Sequence, residues 1–346
     1  MKFKLTALII FVAIVVCQEE IMFMAYVEDR LGIGYISFNG LKLDYGNSID
    51  HGTGIFTAPT NGTYEFSMSM TNQKTRGTNI IVEKNGMEEL QFQSGAISVD
   101  SFVPTWLMSL FKDDKIRLKI ISGQLNAQSI FPGIWIGRLL NPQTVVFSSY
   151  EDDDNGTSSG ILNFGKSIIN IGNAFNSSVF KAPASGIYHF SFIANSDIDS
   201  EAEIKVMKND VDVLSFQSSS LEYQAISPTF MIELEKDDLL WLNVAKHYWS
   251  EGTIVSYPFA NRIFNGRLLH VTSGAVMFSA YSKAEEIIYK DSYIGFDKNL
   301  VNIGGGFDNE NGIFKAPVSG TYEFAFSANA DTGWICTIYQ LKVYQA

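Results

Sequence analysis

Tyr64, Phe66, Met68 and Met70 alternate with Glu65, Ser67 and Ser69, an apolar–polar period of two that predicts a half-buried strand. The pattern recurs at Tyr188, Phe190 and Phe192 and at Tyr322, Phe324 and Phe326. The aromatic set is expected to face a core, with Glu65 and its counterpart His189 outside, so Glu65→Ala is expected to cost under about 0.5 kcal/mol. A Pro-x-x-Gly turn precedes each strand: Pro59 to Gly62, Pro183 to Gly186, Pro317 to Gly320. Asp113-Asp114 and Asp237-Asp238 sit between apolar runs and read as hairpin turns. No stretch sustains a helical period. Many short strands separated by turns predict an all-β sandwich or jelly roll.

The strands belong to a larger repeat. Gly54 to Phe66, Val179 to Phe190 and Gly312 to Phe324 match one another, and Pro59, Pro183 and Pro317 stand 124 and 134 residues apart. A period that long means tandem domains, since solenoid units are much shorter. Opening strands recur with Phe23, Phe147 and Phe278, followed by Phe38, Phe164 and Phe296 and by Gly46, Gly172 and Gly304. The first two repeats share a second half: Lys84-Asn85-Gly86 with Lys208-Asn209-Asp210, Leu110 to Leu118 with Leu234 to Leu242, and a closing Gly-Arg-Leu-Leu at Gly137 and Gly266. The third repeat stops near its middle. The organisation is therefore residues 21–141, residues 143–270 and a partial unit at 275–346. About 70 residues with half a core should be marginal alone. Either the natural chain continues, or the partial unit orders by docking on another domain or chain. Counted this way, 2.5 units do not supply three complete domains.

The N-terminus has a different character. Lys2 and Lys4 precede an apolar run from Leu5 to Val16, followed by Cys17 and the polar residues Gln18, Glu19 and Glu20. This reads as a signal peptide, residues 1–17, removed after Cys17 to give a secreted, extracellular product. The run is too short to span a bilayer as a helix, so no membrane span is expected. Net charge is −12, and two lysines leaving with residues 1–17 takes it to −14. So acidic a chain is not built for nucleic acid, whose phosphates need a basic footprint. Of two cysteines, Cys17 and Cys336, only Cys336 survives cleavage, which leaves it a buried thiol or an inter-chain disulfide.

Gly-x-Phe-x-Ala-Pro-x-x-Gly-x-Tyr-x-Phe, then Lys-Asn-Gly, then Leu-x-x-x-Asp-x-hydrophobic-x-Leu, then Phe-x-Gly-x-Leu-Leu resembles the C1q globular head domain. The resemblance implies tandem jelly rolls related to the tumour necrosis factor fold, the third incomplete. It implies a secreted, non-catalytic recognition module that assembles as a homo-oligomer, a trimer above others, and binds extracellular protein or glycan ligands or microbial surfaces. A structural or signalling ligand for a host receptor or matrix is the alternative. Two departures stand out: there is no collagen stalk, and the third domain lacks its second half. The closing Phe-x-Gly is Trp135-Ile136-Gly137 in the first repeat and Phe264-Asn265-Gly266 in the second.

Little in the chain points to catalysis. His189 sits where the other repeats carry Glu65 and Glu323, and His51, His247 and His270 lie near turns or domain ends without a nucleophile motif. No enzyme and no cofactor is expected. Glu151-Asp152-Asp153-Asp154-Asn155-Gly156 invites calcium, but an EF-hand would need a Glu where Leu162 stands. The resemblance leaves calcium open, held by oxygen ligands gathered on trimerisation. Asn61, Asn155 and Asn176 begin N-glycosylation sequons in expected loops. The aromatic alternation is read as core, not as a sugar platform. Ligand sites are expected where the repeats differ: Thr71 to Asn79, Ser196 to Glu203, and Lys246 to Asn261.

Overall fold

The computed structural model describes residues 2–5, 9–16, 21–72, 77–94, 101–128, 132–140, 144–151, 157, 159–196, 202–218, 225–245, 254–255, 262–269, 275–282, 286–289, 295–296, 298–319, 321–327 and 342–343. All regular structure among them is strand, paired antiparallel. Strand β1 is Ile9–Val16. The first domain supplies β2 (Met22–Val27), β3 (Gly40–Tyr45), β4 (Gly62–Thr71), β5 (Thr105–Leu110) and β6 (Gly133–Leu139), lying side by side in the order β3-β2-β6-β4-β5. The second supplies β7 (Val146–Glu151), β8 (Lys166–Ile171), β9 (Gly186–Ser196), β10 (Thr229–Leu234) and β11 (Arg262–Leu268), in the same spatial order, β8-β7-β11-β9-β10. The third supplies β12 (Met277–Ser282), β13 (Lys298–Ile303), β14 (Thr321–Ser327) and the short β15 (Lys342–Val343). Its sheet reads β13-β12-β1-β14-β15, so β1 occupies the place that β6 and β11 hold in the other two.

Each complete domain faces this sheet with a second one. In the first domain it runs Met87–Gln93, Asn79–Lys84, Lys115–Ser122, Ile55–Thr57, Ile49–Asp50, and the second domain repeats that arrangement. In the third domain the counterpart among the described residues is a hairpin, Phe307–Asp308 with Ile313–Phe314. Among the described residues, the third domain thus shows a five-stranded first sheet and a two-stranded second one.

The aromatic alternation forms the sandwich core. Phe23 and Phe56 have ring centroids 5.4 Å apart, Phe147 and Phe180 5.5 Å, Phe278 and Phe314 5.3 Å. Burying each such ring removes on the order of 150–250 Å² from water, which makes these rings the main apolar contribution to the sandwich. The motif tyrosines add a specific contact. Tyr64, Tyr188 and Tyr322 donate their hydroxyls to the carbonyls of Thr60, Ala184 and Val318, each the residue after the turn proline, at 2.9, 2.7 and 2.6 Å. This ties the strand to its own turn and explains the Pro-x-x-Gly-x-Tyr spacing. Gly137 is required by close approach, since a methyl there would lie 2.2 Å from Phe23 Cε1.

Two other motifs interlock with each other. Asp113 and Asp237 adopt a left-handed φ of 72°, and the aspartate after each receives an amide bond from Asn85 (2.8 Å) or Asn209 (2.6 Å). Lys84 and Lys208 pair with the same aspartates at 3.2 and 3.0 Å. The Lys-Asn and Asp-Asp motifs are therefore two hairpin ends braced together.

One expectation is overturned. Tyr64, Phe66, Tyr188 and Phe190 are buried as expected, but Glu65 and His189 are not outside: they are 6% and 8% exposed. The polar face of β4 and β9 leaves its own sandwich and enters the junction between domains.

Candidate functional site: the inter-domain axis

The three domains pack head to tail. Strand β5 of the first lies across β7, β8, β9 and β11 of the second, and β10 of the second lies across β1, β12, β13 and β14 of the third. Leu107 on β5 packs with Val146 and Ile169. One continuous apolar cluster runs from the second core into Met277, Tyr281, Val301 and Ala325 of the third. Polar contacts fix the register. Asn265 Nδ2 donates to the Thr105 carbonyl of the first domain at 2.7 Å, and the Met231 amide donates to Ser279 Oγ of the third at 3.3 Å.

The junctions meet at one charged cluster. Glu65 pairs in register with Arg138 of β6, and His189 with Arg267 of β11, while Glu323 pairs with Ile14 of β1. Those are equivalent positions in three domains, so their convergence marks a pseudo-threefold axis. Arg138 bridges two carboxylates, Glu65 at 2.5 Å and Glu323 of the third domain at 2.5 Å. Arg267 Nε reaches Glu65 Oε2 at 2.9 Å, joining the second domain to the first. Every side chain in these pairs is mostly or fully buried. Met22, Met24 and Ile136, on the same face of the first domain's sheet as Arg138, are buried too.

The electrostatics follow from that burial. Desolvation alone would push the Glu65 carboxyl up, but the Arg138 and Arg267 guanidiniums override it and hold Glu65 well below the usual carboxylate range. Burial pushes Glu323 up, with Arg138 opposing and Glu65 adding to the rise. Burial and the adjacent Arg267 hold His189 down at about 3, so it is neutral at physiological pH. Thr229 partners its ring: the hydroxyl lies 2.7 Å from His189 Nε2 and 3.2 Å from the Phe190 carbonyl. Two carboxyl groups and two guanidiniums thus surround a neutral imidazole.

This arrangement joins the three domains. The crevice between Glu65, Leu107, His189, Asn265 and Arg267 has no room for a water molecule. The imidazole is committed to Thr229. Among the described residues no three His, Cys, Asp or Glu side chains are grouped to hold a metal ion. Of the acidic run, Glu151 accepts the Gly165 amide at 3.1 Å, and residues 152–156, with the sequon Asn155, lie outside the described residues.

The other sequence-singled residues lie apart from the axis. Asn61 and Asn176 are exposed, and the Asn61 side-chain carbonyl accepts the Lys112 amide at 2.7 Å. His51 is exposed in a turn. His247, His270 and Cys336 lie outside the described residues, as do most of the three segments expected to carry ligand sites. No helix among the described residues is long and apolar enough to cross a membrane. The axial residues were missed because strand alternation marks which face leaves a sandwich, not what that face meets. The arginine two residues before the end of each Gly-Arg-Leu-Leu was the available signal.

Comparison with known proteins agrees with this architecture. Residues 23–136, 146–269 and 277–344 each match the model of the C1q domain. A solved structure, the globular domain of the zebrafish complement 1qA protein, is 16% identical, covers 35% of this chain and 97% of its own length, and has a TM-score of 0.29. With three matches taking in most of its length, the chain belongs to the C1q domain family.

Proposed function

We propose that this is an extracellular, non-catalytic recognition protein in which three C1q domains of one chain do what three chains do in a trimer. Proteins of this family generally oligomerise and bind extracellular ligands without catalysis. The observation that carries the reading is the axial cluster, where Glu65, His189 and Glu323 converge from equivalent positions of three in-chain domains. Export, sugar on Asn61, Asn155 or Asn176, and an innate-immune, lectin-like role for the loops that differ between domains belong to the same proposal. A glycan array and a microbial pull-down with purified protein test the ligand class. Capture of a glycan or microbe supports recognition of surfaces, whereas saturable binding to host cells alone points to a receptor or matrix ligand. Sedimentation tests the assembly: one chain per particle is expected, and three chains per particle would overturn the in-chain ring.

A further inference from the structure

The second sheets of the two complete domains share a register but present different outer faces. In the first domain Arg117 pairs with Ile55 on one side and Glu83 on the other. In the second, Trp241 holds that position, between Val179 and Met207. Its chain neighbours Leu240 and Leu242 are fully buried in the core. Alternation therefore turns Trp241 to the outer face, where it is partly exposed. Leu239, two residues earlier on that face, is 38% exposed.

The two faces are also finished differently. The first closes on itself. The Arg117 guanidinium lies 3.7 Å from the Tyr35 ring centroid and donates to the Thr53 carbonyl at 3.0 Å, and the Tyr35 hydroxyl donates to Glu83 at 3.2 Å. The second carries Ile161 in the place of Tyr35. Among the described residues Trp241 has no ring neighbour, cation or hydrogen-bond partner. Trp106 and Trp135, by contrast, stack on Phe66 inside the first sandwich. A polar rim borders the Trp241 indole. Lys205 sits between Asp212 at 3.2 Å and Glu203 at 3.8 Å, and Ser215 donates to the same Glu203. Lys205 pairs in register with Asn243, the next outward residue after Trp241.

We propose that Trp241 is the platform of a carbohydrate site that takes a neutral pyranose residue of a glycan, with Val179, Leu239 and Met207 around the indole and the Lys205 cluster at its rim. The chemistry of the face selects this occupant. The apolar patch is one ring and three aliphatic side chains wide, small beside the roughly 800 Å² per partner that a stable protein interface covers. It lies on a sheet face, not an edge, so it offers no backbone ladder to an extended peptide. At the rim two carboxylates face one ammonium, and the whole chain carries −12, so sulfated or phosphorylated ligands are repelled. A pyranose presents C–H groups on its flat side and hydroxyls at its edge. That matches an indole face bordered by side chains that both donate and accept. The site deepens the glycan branch of the proposed function and rests on it.

Two experiments on the full chain test it. First, binding is measured to neutral oligomers of N-acetylglucosamine, mannose, glucose and galactose, with heparin as the polyanion. The natural protein is expected to bind at least one neutral oligomer. Trp241→Arg installs the residue that the first domain carries at this position and is expected to weaken that binding by about tenfold or more, as truncation of a central Trp does. Arg117→Ala is expected to bind like the natural protein. Second, the indoles of the natural protein are oxidised with N-bromosuccinimide and read by peptide mass spectrometry. The bound oligomer is expected to slow oxidation of Trp241 several-fold, a readout that needs no variant to fold. Affinity retained by Trp241→Arg, an equal loss in Arg117→Ala, or oxidation of Trp241 unslowed by bound sugar overturns this site and leaves the recognition reading standing. Binding confined to heparin overturns the neutral pyranose. Binding to none of the sugars overturns the site together with the glycan branch it rests on.

Discussion

His189 enters the axis as a neutral imidazole, and that fixes how acid acts on the assembly. Its pKa falls from the ordinary 6.5 to about 3 on burial beside Arg267. Between those values the unfolded chain binds a proton that the folded chain refuses. Stability is full above pH 6.5 and falls as pH drops toward 3, by at most about 1.4 kcal/mol per pH unit for this group. Urea midpoints at pH 7.5 and 5.0 should therefore differ more for the natural protein than for His189→Gln; equal differences would mean the imidazole is not held neutral. Glu65 adds a second arm lower down, since a carboxyl held below its ordinary 4.5 contributes stability that is lost as pH falls through its folded value. Glu65→Gln strips two buried guanidiniums of their shared partner and should cost about 3–5 kcal/mol at neutral pH. That reverses the sequence expectation of a nearly silent Glu65 substitution.

At the scale of elements, the strands were readable and their outward neighbours were not. Period-two alternation placed Tyr64, Phe66, Tyr188 and Phe190 in the core because each sandwich builds its own interior. The same alternation could not say that Glu65 meets Arg267 of another domain, because that contact joins residues far apart in sequence. Gly137 gives a direct check. Gly137→Ala forces a methyl to within 2.2 Å of the Phe23 ring and should cost about 1–3 kcal/mol by overpacking. A thermal midpoint unchanged from the natural protein would show that β6 sits elsewhere. Phe66→Ala removes a fully buried ring and should cost about 3–5 kcal/mol.

Across the whole molecule, Arg138 is the link that reaches from the first domain to the third. Arg138→Met should leave each sandwich core intact while loosening the closure. Limited proteolysis is expected to cut first within residues 275–346 in this variant, and later or elsewhere in the natural chain. A double-mutant cycle of Arg138→Met with Glu323→Gln should show coupling of 0.5 kcal/mol or more, as contacting residues in one network do, roughly within the range 0.5–3 kcal/mol. Additive costs would mean the pair does not hold the ring.

The three-domain axis also changes the order of assembly. A ring drawn from separate chains forms in proportion to the cube of their concentration and comes apart when diluted. Here the partners share one backbone, so closure is a first-order event at a high, fixed effective concentration. In the proposed in-chain ring, the valency that this family obtains by association is expected to persist at any dilution.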